Sequence, residues 1–188
     1  DAAALPAVPS DARIALWQGD ITRLCADAIV NAANSALLGC FIPCHRCIDN
    51  AIHSAAGLQL RAECAEIMAR QGHPEETGGA QMTRGYNLPA RHVLHTVGPI
   101  VSGVLTDEHR ALLGSCYRSC LALAAAHGLT SVVFCCISTG EFRFPNAAAA
   151  EIAVREVRAF LSTPSSIERV VFNVFKDEDR IIYERLLQ

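Results

Sequence analysis

The sequence predicts an α/β fold, a three-layer α/β/α sandwich around a mixed, mainly parallel central sheet. Two observations carry this. Short strand-like segments alternate with longer segments of helical periodicity along the 188 residues, as βαβ units do. Several strand segments are strongly apolar: Ala28–Asn31 is fully apolar at its centre and Ser131–Ile137 reads as a continuous apolar strand. Strands covered on both faces have that composition.

Arg13–Gln18 reads as a strand ended by Gly19-Asp20, with Asp20 placed to cap the turn after it. Ala28–Asn31 is the next strand. Cys47–Ala56 carries Ile48, Ile52 and Ala55/Ala56 at helical spacing and stops at Gly57. Leu58–Gln71 repeats the pattern with Leu60, Cys64, Ile67 and Met68, and Gly72 closes it. Gly78-Gly79 opens a loop-like approach to Gln81–Arg84. His92–Val97 reads as a strand ended by Gly98-Pro99. Thr106-Asp107-Glu108 starts a long helix to Gly128, with Leu112, Leu113, Cys116, Cys120, Leu123 and Ala124 on one face. After the Ser131–Ile137 strand, Asn146 caps a helix from Ala147 to about Leu161. Arg169–Phe175 is a further strand and Asp177–Leu187 a closing helix. Residues 1–10 are Ala/Pro-rich, with neither a basic n-region nor a long apolar run. They read as a flexible lead-in rather than a signal peptide, and residues 11–188 as one domain. The chain opens on Asp1 instead of Met, which suggests a trimmed N-terminus.

Apolar residues make up 51% of the chain, enough to bury a core without disulfides. Charges interrupt every apolar stretch well before 18 residues, so no membrane span is expected. The net charge is −3, and Lys176 is the only lysine. A duplex nucleic-acid binder would show a basic stripe, so an anionic ligand should be small and held by backbone N–H groups. The nine cysteines are odd in number and mostly sit in apolar segments. They read as small hydrophobes in a reducing, cytoplasmic protein.

Three segments fall at predicted strand ends, where ligands bind in such sheets. Ile137-Ser138-Thr139-Gly140-Glu141-Phe142-Arg143-Phe144-Pro145 follows a buried strand and precedes a helix. It can form an anion nest or an ordinary turn. Gly19-Asp20-Ile21-Thr22 can be a simple cap, or Asp20 can accept a hydrogen bond from an exocyclic amine. The third, Gly39-Cys40-Phe41-Ile42-Pro43-Cys44-His45-Arg46-Cys47, concentrates thiols and an imidazole on one loop. Thiolate and imidazole are zinc ligands, and no second CxxC or HxxxH completes a four-ligand frame. A three-ligand site of Cys40, His45 and Cys47 with one open position is the reading adopted. Cys44 remains a possible substitute, and core or redox-sensitive thiols the bland alternative.

Taken together, these segments resemble the macrodomain family from about Arg13 to Gln188. The matching pieces are Gly19-Asp20-Ile21-Thr22; Ile29-Val30-Asn31-Ala32-Ala33-Asn34-Ser35; Thr77-Gly78-Gly79-Ala80 with Thr83-Arg84-Gly85-Tyr86-Asn87-Leu88-Pro89; His95-Thr96-Val97-Gly98-Pro99; and Ser138-Thr139-Gly140 through Pro145. The family's glycine run is replaced by Gly39 to Asn50, which looks like the zinc-containing subgroup. Its ligands map onto Cys40, His45 and Cys47. Arg143 stands where the wider family usually has Gly, so the closure of that loop over a ligand should differ here.

The resemblance implies that Asp20 binds the adenine amine and that Ile21 offers a backbone contact. It implies that Ser138, Thr139, Gly140, Glu141 and Phe142 cradle a diphosphate, that Asn34 contacts the distal ribose, and that Asp49 orients or activates a water. The implied activity is zinc-dependent hydrolysis of ADP-ribose from mono-ADP-ribosylated proteins at carboxylate esters. The implied protein partner is a lipoylated carrier modified by a sirtuin-type transferase, and the protein itself is expected to be a monomer. The alternative is an ADP-ribose reader with a structural zinc. Among other residues, His53 reads as a partly buried, hydrogen-bonded histidine, and His95, Cys135, Cys136 and Trp17 as packing residues.

Overall fold

The computed structural model describes all 188 residues. Its seven-stranded sheet has the order β1-β2-β7-β6-β3-β5-β4. The strands are β1 (Ala7–Val8), β2 (Asp11–Gln18), β3 (Ala28–Ala33), β4 (Ala80–Arg84), β5 (His92–Val97), β6 (Ser131–Phe134) and β7 (Arg169–Val174). β2, β7, β6, β3 and β5 run parallel, while β1 and β4 pair antiparallel at the two edges. β3 is buried at five of six positions, which its apolar character, interrupted only by Asn31, anticipates. Five helices complete the three layers: α1 (Ile48–Ala56), α2 (Leu58–Gln71), α3 (Asp107–Ala126), α4 (Asn146–Leu161) and α5 (Asp177–Leu186). α1 and α2 pack together, as do α3 with α4 and α4 with α5. One large apolar cluster joins the central strands to α3 and α4. No helix is long and apolar enough to cross a membrane.

Three expectations change. The first ten residues, expected as a flexible lead-in, lie on the domain. Ala2 is buried, its N–H donates to Cys25 O at 2.8 Å, and β1 pairs with β2. β2 would otherwise present an open edge of unpaired backbone groups, which β1 partly saturates. Asn146 does not cap α4. Pro145 occupies the cap position, and the Asn146 side-chain amide donates to Asp179 Oδ1 on α5 at 2.6 Å. The central strand β6 ends at Phe134 rather than Ile137, because the chain turns early into the next loop.

The order of the strands locates a crevice. From β3 the chain moves to β4 and then β5 on one side, and from β6 it moves to β7 on the other. β3 and β6 are adjacent, so the chain diverges between their carboxyl ends, where open α/β sheets bind ligands. The loops leaving these two strands, 34–47 and 135–145, flank that gap.

Candidate active site

The loop after β6 leaves several backbone donors unpaired. Ser138 adopts a left-handed backbone at φ 65° and Arg143 at φ 56°, a conformation that non-glycine residues avoid. The backbone N–H groups of Ser138, Gly140, Glu141 and Phe142 donate to no protein acceptor. The loop is braced from behind: Val101 N–H donates to Phe142 O at 2.9 Å and Phe144 N–H to Ser138 O at 3.0 Å. Ser138 Oγ is buried without a partner and packs against Gly98, where any added Cβ would collide with it. Gly98 thereby sets how close the β5 end and this loop can approach. Free backbone donors in such a loop can receive an anion without any cationic side chain.

At the end of β2, Asp20 caps a short 3-10 turn over Ile21–Arg23, accepting from Thr22 N–H at 3.0 Å and Thr22 Oγ1 at 2.7 Å. Only one carboxylate oxygen is used, and Ile21 N–H has no protein acceptor. The cap and a free acceptor therefore coexist. Asn173 on β7 holds this turn by donating to Gly19 O at 2.9 Å. Phe175, just past β7, is an exposed aromatic on the same sheet edge, and sequence reasoning did not single it out.

The loop after β3 brings Cys40, His45 and Cys47 together, with their donor atoms all within 4.8 Å of one another. His45 Nδ1 lies 3.1 Å from Cys40 Sγ. Cys47 also caps α1, accepting from Asn50 N–H at 3.4 Å. Cys44 is exposed, at φ 57°, and stands outside the trio. The Cys40 thiol is held below its ordinary value, chiefly by the Ile42 N–H and then by His45, while burial raises that of Cys47. Two sulfurs and one imidazole nitrogen at this mutual distance fit a zinc ion. His45 Nε2 faces Glu141 Oε1 at 3.1 Å, across the crevice from its own loop. A metal-binding histidine needs an acceptor for its second ring nitrogen, and Glu141 is placed to be one.

Asp49 sits in the first turn of α1, 4% exposed. Asn31 Nδ2 donates to its Oδ1 at 2.8 Å, and Asn34 Nδ2 reaches its Oδ2 at 3.4 Å. Burial raises its pKa. Asn34 is half-buried and tied into its own loop, accepting from Ala36 N–H and donating to Gly39 O. Behind Asp49 a polar chain runs inward that the sequence had not suggested. Asn31 Nδ2 also meets His95 Nδ1 at 3.2 Å, and His95 Nε2 meets Thr83 Oγ1 at 2.9 Å. Because Asn31 donates, His95 Nδ1 accepts and its Nε2–H points to Thr83. His95 is fully buried in the strand as expected, and its pKa falls to about 3 through burial. His53 is more buried than expected. Its Nε2 is 3.5 Å from Asp49 Oδ1 without forming a hydrogen bond, and burial lowers its pKa to about 4. Gly39, at φ 83°, lies where a Cβ would come within 2.9 Å of the His53 ring. His53, Cys64 and His95 form a second close trio, but both His95 nitrogens are already engaged, which leaves too few free donors for an ion. A polar hollow of about 460 Å³ lined by Gln71, Glu75, Thr77 and Ser115 shares no residue with the site.

The Macro domain family model matches residues 30–153. A protein-ADP-ribose hydrolase of Treponema medium is 56% identical over 172 residues, covering 92% of this chain and 66% of the relative. One from Staphylococcus aureus is 54% identical over 175 residues, covering 93% and 66%. The chain thus spans about two thirds of these curated relatives. The crystal structure of a Trypanosoma brucei macrodomain in complex with ADP-ribose superposes with a TM-score of 0.84 at 41% identity, covering 98% of this chain and 74% of that one.

Proposed function

Because the chain belongs to the macrodomain family, we propose that it binds ADP-ribose along the carboxyl edge of its sheet and hydrolyses it from modified proteins. The supporting observation is that a free-donor nest, a thiol–imidazole trio and a buried carboxylate flank one crevice at the strand divergence point. Names and bound ligands of the relatives point the same way. Asp20 and Ile21 N–H take the adenine edge, and Phe175 offers it a face. The N–H groups of residues 138–142 hold the diphosphate, which sets the distal ribose beside Asn34 and Asp49. Asp49, desolvated and aimed by two amides, accepts a proton from the attacking water, a role suited to a carboxylate of raised pKa. Cys40, His45 and Cys47 would hold zinc, which supplies polarisation of a ribose hydroxyl or ester oxygen, or a lowered pKa for water. The bond cleaved is the ester to a carboxylate side chain. The substrate protein is the lipoylated carrier that the family resemblance implies.

The test is elemental analysis of the purified protein together with hydrolysis of a carboxylate-linked ADP-ribosyl protein. A positioned acid or base contributes on the order of 10²–10⁴ in rate, so Cys40→Ala and Asp49→Ala should each lose at least about a hundredfold. Full activity in both folded variants overturns the mechanism. Tight ADP-ribose binding with no turnover in the presence of zinc identifies a reader instead.

A further inference from the structure

Glu141 belongs to both halves of the crevice at once. Its backbone N–H is one of the free donors of the anion nest. Its side chain accepts from His45 Nε2 at 3.1 Å, while the other nitrogen of that ring faces Cys40 Sγ at 3.1 Å. The two loops leave different strands, so this contact is a bridge between them. A histidine that binds metal through one nitrogen and donates to a carboxylate through the other is fixed in tautomer and orientation. Here the carboxylate stands on the loop that must receive a diphosphate. Glu141 has a side chain 69% exposed and is otherwise free to swing into the space of an anion it would repel.

We propose that Glu141 is a positioning residue that makes zinc and ADP-ribose bind cooperatively. This rests on the assignment of the crevice as a zinc and ADP-ribose site. With the metal trio filled, His45 is locked with its Nε2–H towards Glu141. The carboxylate is then held off the nest and partly neutralised, and residues 138–142 keep their N–H groups aimed at the diphosphate. Without metal, only the Cys40 Sγ contact holds the ring, so the hold on Glu141 is weaker and its charge opposes the incoming phosphates more. Linkage makes the effect reciprocal: whatever zinc does for ADP-ribose affinity, ADP-ribose does for zinc affinity.

The experiment measures ADP-ribose Kd by calorimetry on zinc-loaded and chelator-stripped protein, and zinc Kd by chelator competition with and without ADP-ribose. Neither readout involves turnover. For the unaltered chain both ratios should agree, at about tenfold within the usual range of roughly 5–150-fold. Glu141→Ala should bring both ratios towards one and weaken zinc binding about 10–100-fold. Glu141→Gln, which keeps an acceptor but not the charge, should fall between. Glu141→Ala retaining the full ratios overturns the proposal, as does independent binding of both ligands by the unaltered chain. Failure of the unaltered chain to bind zinc or ADP-ribose at all refutes the functional reading itself, and the cooperativity falls with it.

Discussion

The buried histidine behind Asp49 makes acid sensitivity a quantitative test of the interior chain. His95 is fully buried, and its pKa is about 3 against 6.5 for a free side chain. The fold keeps it neutral, whereas the unfolded chain protonates it below its ordinary value. Unfolding therefore takes up a proton, and the stability contributed by the neutral ring is complete above pH 6.5 and lost as pH falls towards 3. At about pH 5 the unfolded state has gained roughly 1.5 units of protonation free energy, or about 2 kcal/mol at 1.36 kcal/mol per unit. His95→Gln keeps an acceptor for Asn31 and a donor for Thr83 but cannot be protonated. It should cost stability near neutrality and recover about 2 kcal/mol relative to the unaltered protein at about pH 5. Urea denaturation at about pH 7.5 and about pH 5 reads this as a gap between midpoints that narrows by about 1 M, for an m-value near 2 kcal/mol/M. Asp49 and His45, whose raised pKa values act in the opposite sense, are present in both proteins and cancel in the difference. Equal losses on acidification would refute a neutral, desolvated His95.

Gly98→Ala should drive a methyl group into Ser138 Oγ, cost about 1–3 kcal/mol and weaken ADP-ribose binding, as calorimetry would show. Cys40→Ser and Cys47→Ser should lose bound zinc, whereas Cys44→Ser should keep one ion per chain by elemental analysis, since Cys44 lies outside the trio. Arg143→Gly should relieve the left-handed backbone at φ 56°. Against the entropy glycine adds to the unfolded chain, the net gain is about 0.5–1 kcal/mol, visible as a rise of about 2 °C in Tm.

The parallel centre of the fold is legible because β3 and β7 are mostly apolar, and the helices because glycines close α1 and α2. The edges are less so. β4, Ala-Gln-Met-Thr-Arg, mixes polar and apolar residues without a clean period, since only part of it is covered. β1 has two residues, too few for any pattern. Asn146 misled because its residue type suits a cap, while a neighbouring helix offered Asp179 as a better partner. In the crevice, the trio is legible because its members share one loop and their chemistry is distinctive. Residues that work through a partner far along the chain are not. Asn31 is an amide in an apolar strand whose worth depends on Asp49 and His95. Glu141 meets His45 only because β3 and β6 are neighbours.

That adjacency has a consequence for how the molecule matures. β3 and β6 are tied at their amino ends by Asp27, which pairs with Ser131 across 104 positions of chain. Loop-closure entropy must be met before such distant contacts form, so this closure is expected late in folding. Until the β6–β7 half docks, the thiol loop has no carboxylate opposite it and the nest has no wall. A nascent or clipped chain should therefore be blind to nucleotide even with every ligand-contacting residue present. Acquisition of nucleotide binding during refolding would serve as a clock for the last docking step rather than for the first collapse.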